Sequence, residues 1–175
     1  NYRPDADPDH WNMTVLEELK DVVDYIALHI YVGNPENNYY RFISTPLVCE
    51  ERTDIVRGMI DKVMQHADRG DRDPVYIAWD EYNVWYRART GGDMQGTRAL
   101  EEHYNLEDAL VIAGFLNVFI RNADIVKMAN MAQLVNVIAP IFTDEKGLFL
   151  QTIYYPLQLY ATLAHGTSLD VFVDC

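Results

Sequence analysis

Apolar residues along the chain follow two alternating periods. From His10 to Lys20, Trp11, Val15, Leu16 and Leu19 fall on one face of a helix, with Asp9 after Pro8 as its N-cap. Val22 to Ile30 (VVDYIALHI) is then a β-rich run too short for a typical helix and reads as a strand. The turn residues Gly33-Asn34-Pro35-Glu36-Asn37-Asn38 separate it from Pro46 to Ala67, where Ile55, Val56, Met59, Ile60 and Val63 make a second helix face. The cycle recurs. After a charged turn, Asp68 to Pro74, Val75 to Trp79 (VYIAW) is a continuous apolar run of the kind shown by strands buried on both faces. A connection from Thr90 to Asn105, with three glycines, leads into the largely apolar helix Leu106 to Arg121, capped by Asn105. A third strand is expected at Ile125 to Met128 (IVKM). Pro140 to Gly147 reads as a loop, and Tyr154 to Ala164 as a helix with Pro156 in its first turn and Gly166 past its end. Leu169 to Val173 (LDVFV) reads as a last strand.

Strands alternating with helices predict parallel βαβ units. A closed eight-fold α/β barrel takes about 250 residues, and this chain has 175. The pattern therefore fits either a small doubly wound sheet or the later part of a barrel.

Charge narrows the functional classes. With 14 Lys+Arg against 27 Asp+Glu, the formal net charge is −13, which disfavours non-specific nucleic-acid binding and attraction to an anionic membrane. No apolar run reaches the roughly 18 residues of a spanning helix; the longest, Ala109 to Ile120, is interrupted by Asn117. A soluble protein is expected. Cys49 and Cys175 form neither a disulfide framework nor a zinc motif, which fits a reducing compartment. The first residues contain no initiator Met and no signal-peptide pattern, and read as a start in mid-protein.

In parallel α/β proteins, functional groups gather at the C-terminal ends of the strands. The first strand ends in Leu28-His29-Ile30-Tyr31, the second in Trp79-Asp80-Glu81-Tyr82-Asn83, and the third leads on to Asn130-Met131-Ala132-Gln133. A charge pair directly following an apolar strand is costly to bury unless it is hydrogen-bonded or used, so Asp80 and Glu81 carry the most information. Tyr82, Trp85 and Tyr86 beside them are aromatic, and carboxylates beside aromatics fit a carbohydrate site. Each residue also has an ordinary structural role open to it. Asp80 suits a turn cap, His29 a satisfied core histidine, Trp79, Trp85 and Tyr31 packing, and Gln133 a solvated loop. His10, His66, His103 and His165 lack metal-ligand spacing, so no catalytic metal is expected. The glycines at 91, 92 and 96 follow no strand and lack the lysine of a phosphate loop, and no Gly-x-Ser-x-Gly elbow occurs.

Four segments together resemble the α-L-arabinofuranosidases of glycoside hydrolase family 51. They are Val23-Asp24-Tyr25-Ile26-Ala27-Leu28-His29-Ile30-Tyr31-Val32-Gly33-Asn34, the run from Ala78 to Tyr86 (AWDEYNVWY), the run from Ala132 to Ile141 (AQLVNVIAPI), and Gln151-Thr152-Ile153-Tyr154-Tyr155-Pro156. Their order and approximate spacing match, and they cover about residues 9 to 166.

The resemblance implies a retaining glycosidase on a (β/α)8 TIM barrel followed by a β-sandwich domain. Residues 1–166 would be the C-terminal part of the barrel, about strands six to eight with their helices. Residues 167–175 would begin the sandwich. It further implies that Glu81 is the nucleophile, that His29, Tyr31 and Asp80 support it, and that Trp85 and Gln133 meet the sugar. Tyr82 departs from the Trp usual in bacterial members. The family's general acid lies in a Gly-Asn-Glu context, and no Asn-Glu pair exists in these residues; an acid/base outside the chain, and a fragment inactive by itself, are therefore expected. The implied substrate is a terminal arabinofuranosyl group on arabinoxylan, arabinan or their oligosaccharides, as in hemicellulose degradation, with no cofactor and no metal. A cytoplasmic location and a homo-oligomer, hexameric by family analogy, are expected too. Two other readings stay open: a non-catalytic carbohydrate-binding or assembly protein with the same fold, and another retaining barrel glycosidase of xylanase or endoglucanase type.

Overall fold

The computed structural model describes residues 7–86, 101–169 and 171. The elements in chain order are α1 (Pro8–Leu19), β1 (Tyr25–Val32), α2 (Tyr39–Ile43), α3 (Pro46–Met64), β2 (Tyr76–Val84), α4 (Leu106–Arg121), β3 (Val126–Met131), β4 (Ile141–Asp144), β5 (Gly147–Leu150) and α5 (Tyr154–Leu163). The architecture is mixed α/β. β1, β2 and β3 form a parallel sheet in that order, and β4 and β5 form an antiparallel pair.

Helices α3 and α4 cover the sheet with apolar faces. Val56, Ile60 and Val63 of α3 and Val111, Ile112, Phe115, Val118 and Phe119 of α4 are buried. β2 meets them with Trp79, whose indole donates to Thr53 Oγ1 at 3.1 Å, and with Tyr82, whose ring lies edge-on to Phe119 at 4.9 Å. The two helices approach closely at Gly114: a Cβ there would lie 2.5 Å from the Pro46 ring. α4 begins where its sequence places it. Asn105 accepts from Glu107 N and Asp108 accepts from Asn105 N, a reciprocal capping box.

Several boundaries differ from the sequence reading. The α1 N-cap is Asp7, which accepts from the Asp9 and His10 amides, and Pro8 takes the first helical position. Proline is suited there because its missing N–H would be unsatisfied anyway. The short α2 follows the Gly33–Asn38 turn, capped by Asn38. The loop expected over Pro140 to Gly147 contains β4 and leads directly into β5. Gly147, with φ 148°, sits where the chain reverses. Of the strand expected at Leu169 to Val173, Leu169 and Val171 are described and lie outside any strand; the others lie outside the described residues. So does most of the Thr90–Asn105 connection, together with Cys175.

The largest difference concerns β2. It does not stop at Trp79 but runs to Val84, because its ladder with β1 continues to Val32↔Val84. Asp80 and Glu81 therefore lie within a strand rather than after it. Two register shifts mark them: Leu28 pairs with Trp79 but His29 with Glu81, and Ala129 pairs with Trp79 but Met131 with Tyr82. Asp80 is one residue more than β1 can match, a β-bulge of the kind that re-aims side chains beside active sites.

Candidate active site

The bulge decides which residues face together. In an unbroken strand, Trp79 and Glu81 would share a face and Tyr82 would lie on the other. Instead Trp79 and Tyr82 both pack on the helices, against Phe119. Asp80 and Glu81 are left partly exposed.

β1 brings His29 and Tyr31 to them, two residues apart and therefore on one face. The Tyr31 hydroxyl donates to Glu81 Oε2 at 2.8 Å. His29 lies between the two carboxylates, with Nε2 2.8 Å from Asp80 Oδ1 and Nδ1 3.6 Å from Glu81 Oε2. Asp80 Oδ1 is screened from solvent, and His29 Nε2 is the polar atom beside it. Partial burial, the bond to Glu81 and the two nearby negative charges push the Tyr31 hydroxyl well above the usual tyrosine range. It stays protonated, and so a donor, at any ordinary pH. Glu81 Oε1 makes no hydrogen bond among the described residues. The result is a partly exposed carboxylate with one oxygen held and the other open, which is what an attacking carboxylate requires.

Trp85 follows the end of β2. Its amide donates to Val32 O at 2.7 Å, and its ring meets Tyr31 edge-on at 5.4 Å. Gly33 eases this approach, since a Cβ there would come within 3.1 Å of Trp85 O. Gln133 lies just past β3, exposed, with φ 67°. It makes no hydrogen bond to the other five candidates, but the preceding Ala132 amide donates to Tyr82 O at 3.2 Å, next to Glu81. The fold thus gathers Glu81, Asp80, His29, Tyr31 and Trp85, and brings the backbone before Gln133 to the same strand.

Two amides are buried here, Asn83 and Gln151. Asn83 stands among the strand-end polar residues that the sequence singles out, without a role assigned to it; Gln151 lies inside a segment quoted for the resemblance, and its one signal is an amide next to an apolar run. Cys49 is free and buried, its thiol pushed up to about 12 mainly by burial. Among the described residues, no group of three or more His, Cys, Asp or Glu is placed to hold a metal, and no helix is long and apolar enough to cross a membrane.

Comparison with known proteins identifies the family of this chain. The family model described as the α-L-arabinofuranosidase C-terminal domain matches residues 80–175, beginning within β2. The chain is 36% identical over 171 residues to the intracellular exo-α-(1→5)-L-arabinofuranosidase of Halalkalibacterium halodurans, covering 94% of this chain and 34% of that protein. Among solved structures, it is similar to the α-L-arabinofuranosidase of Thermotoga maritima in its arabinose complex, with a TM-score of 0.72 and 37% identity over 87% of this chain and 29% of that one. The GH51 α-L-arabinofuranosidase of Thermotoga petrophila gives the same TM-score, 0.72, at 37% identity, with 87% and 29% covered. The chain thus spans about a third of the length of the relatives it matches. It belongs to the α-L-arabinofuranosidases of glycoside hydrolase family 51.

Proposed function

We propose that this chain carries the nucleophile of a retaining, exo-acting α-L-arabinofuranosidase that removes terminal arabinofuranosyl groups from arabinan, arabinoxylan or their oligosaccharides. The observation that carries this reading is the Glu81 carboxylate, held through Oε2 by Tyr31 at 2.8 Å and open at Oε1. In this mechanism Oε1 attacks the anomeric carbon while the bond to the leaving oxygen breaks, giving a glycosyl ester on Glu81. Water, giving up a proton to the second carboxyl, now acting as base, then attacks the same carbon and Glu81 departs, so configuration is retained. His29 and Asp80 fix the carboxylate's orientation. Trp85 offers an apolar face to the sugar, and Gln133 offers an amide to its hydroxyls.

A retaining enzyme needs a second carboxyl about 5–5.5 Å from the first to protonate the leaving oxygen. The Asn-Glu pair that supplies it in the family is absent from these residues, and we assign it to the part of the barrel that this chain does not cover. The parallel order β1-β2-β3 supports reading the sheet as strands six to eight of a (β/α)8 barrel, over residues 1–166, with a β-sandwich beginning at 167. A cytoplasmic location is supported by the relative named as intracellular.

The test splices these 175 residues in place of the matching segment of the Thermotoga maritima enzyme. The chimera hydrolyses an aryl α-L-arabinofuranoside, and Glu81→Gln abolishes turnover. A folded chimera that binds arabinose without turnover supports the non-catalytic alternative, and preference for an aryl xyloside or cellobioside supports the other glycosidase class.

A further inference from the structure

The segment from Ala132 to Pro140 holds three non-glycine residues in the left-handed region: Gln133 at φ 67°, Asn136 at φ 63° and Ile138 at φ 39°. A β-branched residue there is strained and persists only where its surroundings over-determine it. Two side-chain amides supply that constraint. Asn83, wholly buried, donates through Nδ2 to Ala132 O at 2.8 Å and Ile138 O at 2.6 Å, while its Oδ1 accepts from Val84 N. Gln151, 2% exposed, donates through Nε2 to Ala139 O at 2.7 Å and Glu102 O at 3.0 Å, accepts from Tyr104 N, and donates from its own amide to Pro140 O at 2.8 Å. The loop is therefore pinned at its start to the strand that carries Glu81, and at its end to the residue following β5. Its tip, Gln133 to Val135, is exposed.

A buried amide is expensive unless its polar atoms are satisfied, and a residue needed only to fill space would be better apolar. Every hydrogen bond of these two side chains goes to backbone, and three of their four donations go to this one loop. We infer that Asn83 and Gln151 are positioning residues that preset the Ala132–Pro140 loop, and through it the placement of Gln133 relative to Glu81 for furanose binding. This rests on the function proposed above.

Asn83→Leu and Gln151→Met keep side-chain volume and remove the donors. In the chimera, each raises the KM for an aryl arabinofuranoside about tenfold while kcat changes less than about threefold, and adding Gln133→Ala to either brings little further loss. Hydrogen exchange reads the loop independently of turnover: amides 132–139 exchange about tenfold faster in both variants, while those of β1 and β2 keep their protection. Unchanged KM with unchanged loop exchange overturns the inference. So does uniform loss of protection with unchanged KM, which marks the amides as general stabilisers. A parent chimera that is inactive defeats the functional reading, while the exchange result still decides whether these amides hold the loop. If Asn83→Leu does not fold, Gln151→Met and Gln133→Ala carry the same comparison.

Discussion

Tyr31→Phe isolates the contribution of one hydroxyl to Glu81. The change removes the donor 2.8 Å from Oε2 and leaves the ring, with its edge contact to Trp85, in place. A hydrogen bond to a charged acceptor contributes about 1.5–3 kcal/mol. Here Tyr31 is 36% exposed and the Glu81 side chain 45%, so water screens the bond and the lower end of that range applies. At about 1.4 kcal/mol per factor of ten, kcat falls about tenfold or somewhat more. Folding stability falls by less than about 1 kcal/mol, because water replaces the lost partner on an exposed carboxylate. Turnover of an aryl arabinofuranoside by the chimera, alongside chemical denaturation, measures both. Unchanged turnover, or equal losses of activity and stability, would refute the claim that Tyr31 orients the nucleophile.

The 175 residues by themselves are expected to be inactive on arabinofuranosides and to self-associate, because among the described residues β1 and β3 are the edges of the sheet and the exposed Leu106, Leu110, Leu159 and Leu163 line a groove between α4 and α5. A monomeric, cooperatively folded and active chain, read by light scattering and turnover, would contradict this. Glu81→Ala in the chimera loses turnover and regains part of it with azide, which fills the space of the lost carboxylate; a covalent glycosyl-protein on that variant, seen by mass spectrometry, would exclude Glu81 as nucleophile. Gly114→Ala destabilises by about 1–3 kcal/mol, since the Pro46 ring cannot yield as a flexible side chain would; this outweighs the roughly 1 kcal/mol gained in helix propensity, and a rise in the denaturation midpoint would show that α3 shifts freely. Burial pushes the Tyr82 hydroxyl up to about 12. Its folded-state value lies above the unfolded one, so its contribution is present below pH ~10 and is lost as pH rises from there through ~12, about 3 kcal/mol in all. Tyr82→Phe should flatten that alkaline decline, and an unchanged slope of stability against pH would count against it.

Local physics made much of the fold readable in the residues. α4 lies where the sequence places it because its cap, Asn105, and its apolar face are encoded within a few residues of one another. The alternation of strand and helix likewise predicted parallel strands joined by crossovers, while the order β1-β2-β3 was decided by the tertiary structure. The candidate residues were legible at the strand ends from their own chemistry, but the role expected of each came only from the resemblance. What the sequence could not decide is pairing between distant segments. The extension of β2 through Asp80 and Glu81 depends on a ladder with β1, and the bulge that turns both carboxylates away from the helices exists only as a mismatch between neighbouring strands. Tyr31 and Glu81 meet across 50 residues, and Asn83 finds its second carbonyl 55 residues on. A period of two predicts opposite faces for adjacent residues; only the partner strand's register determines where that rule is broken, and here it is broken at the carboxylate pair.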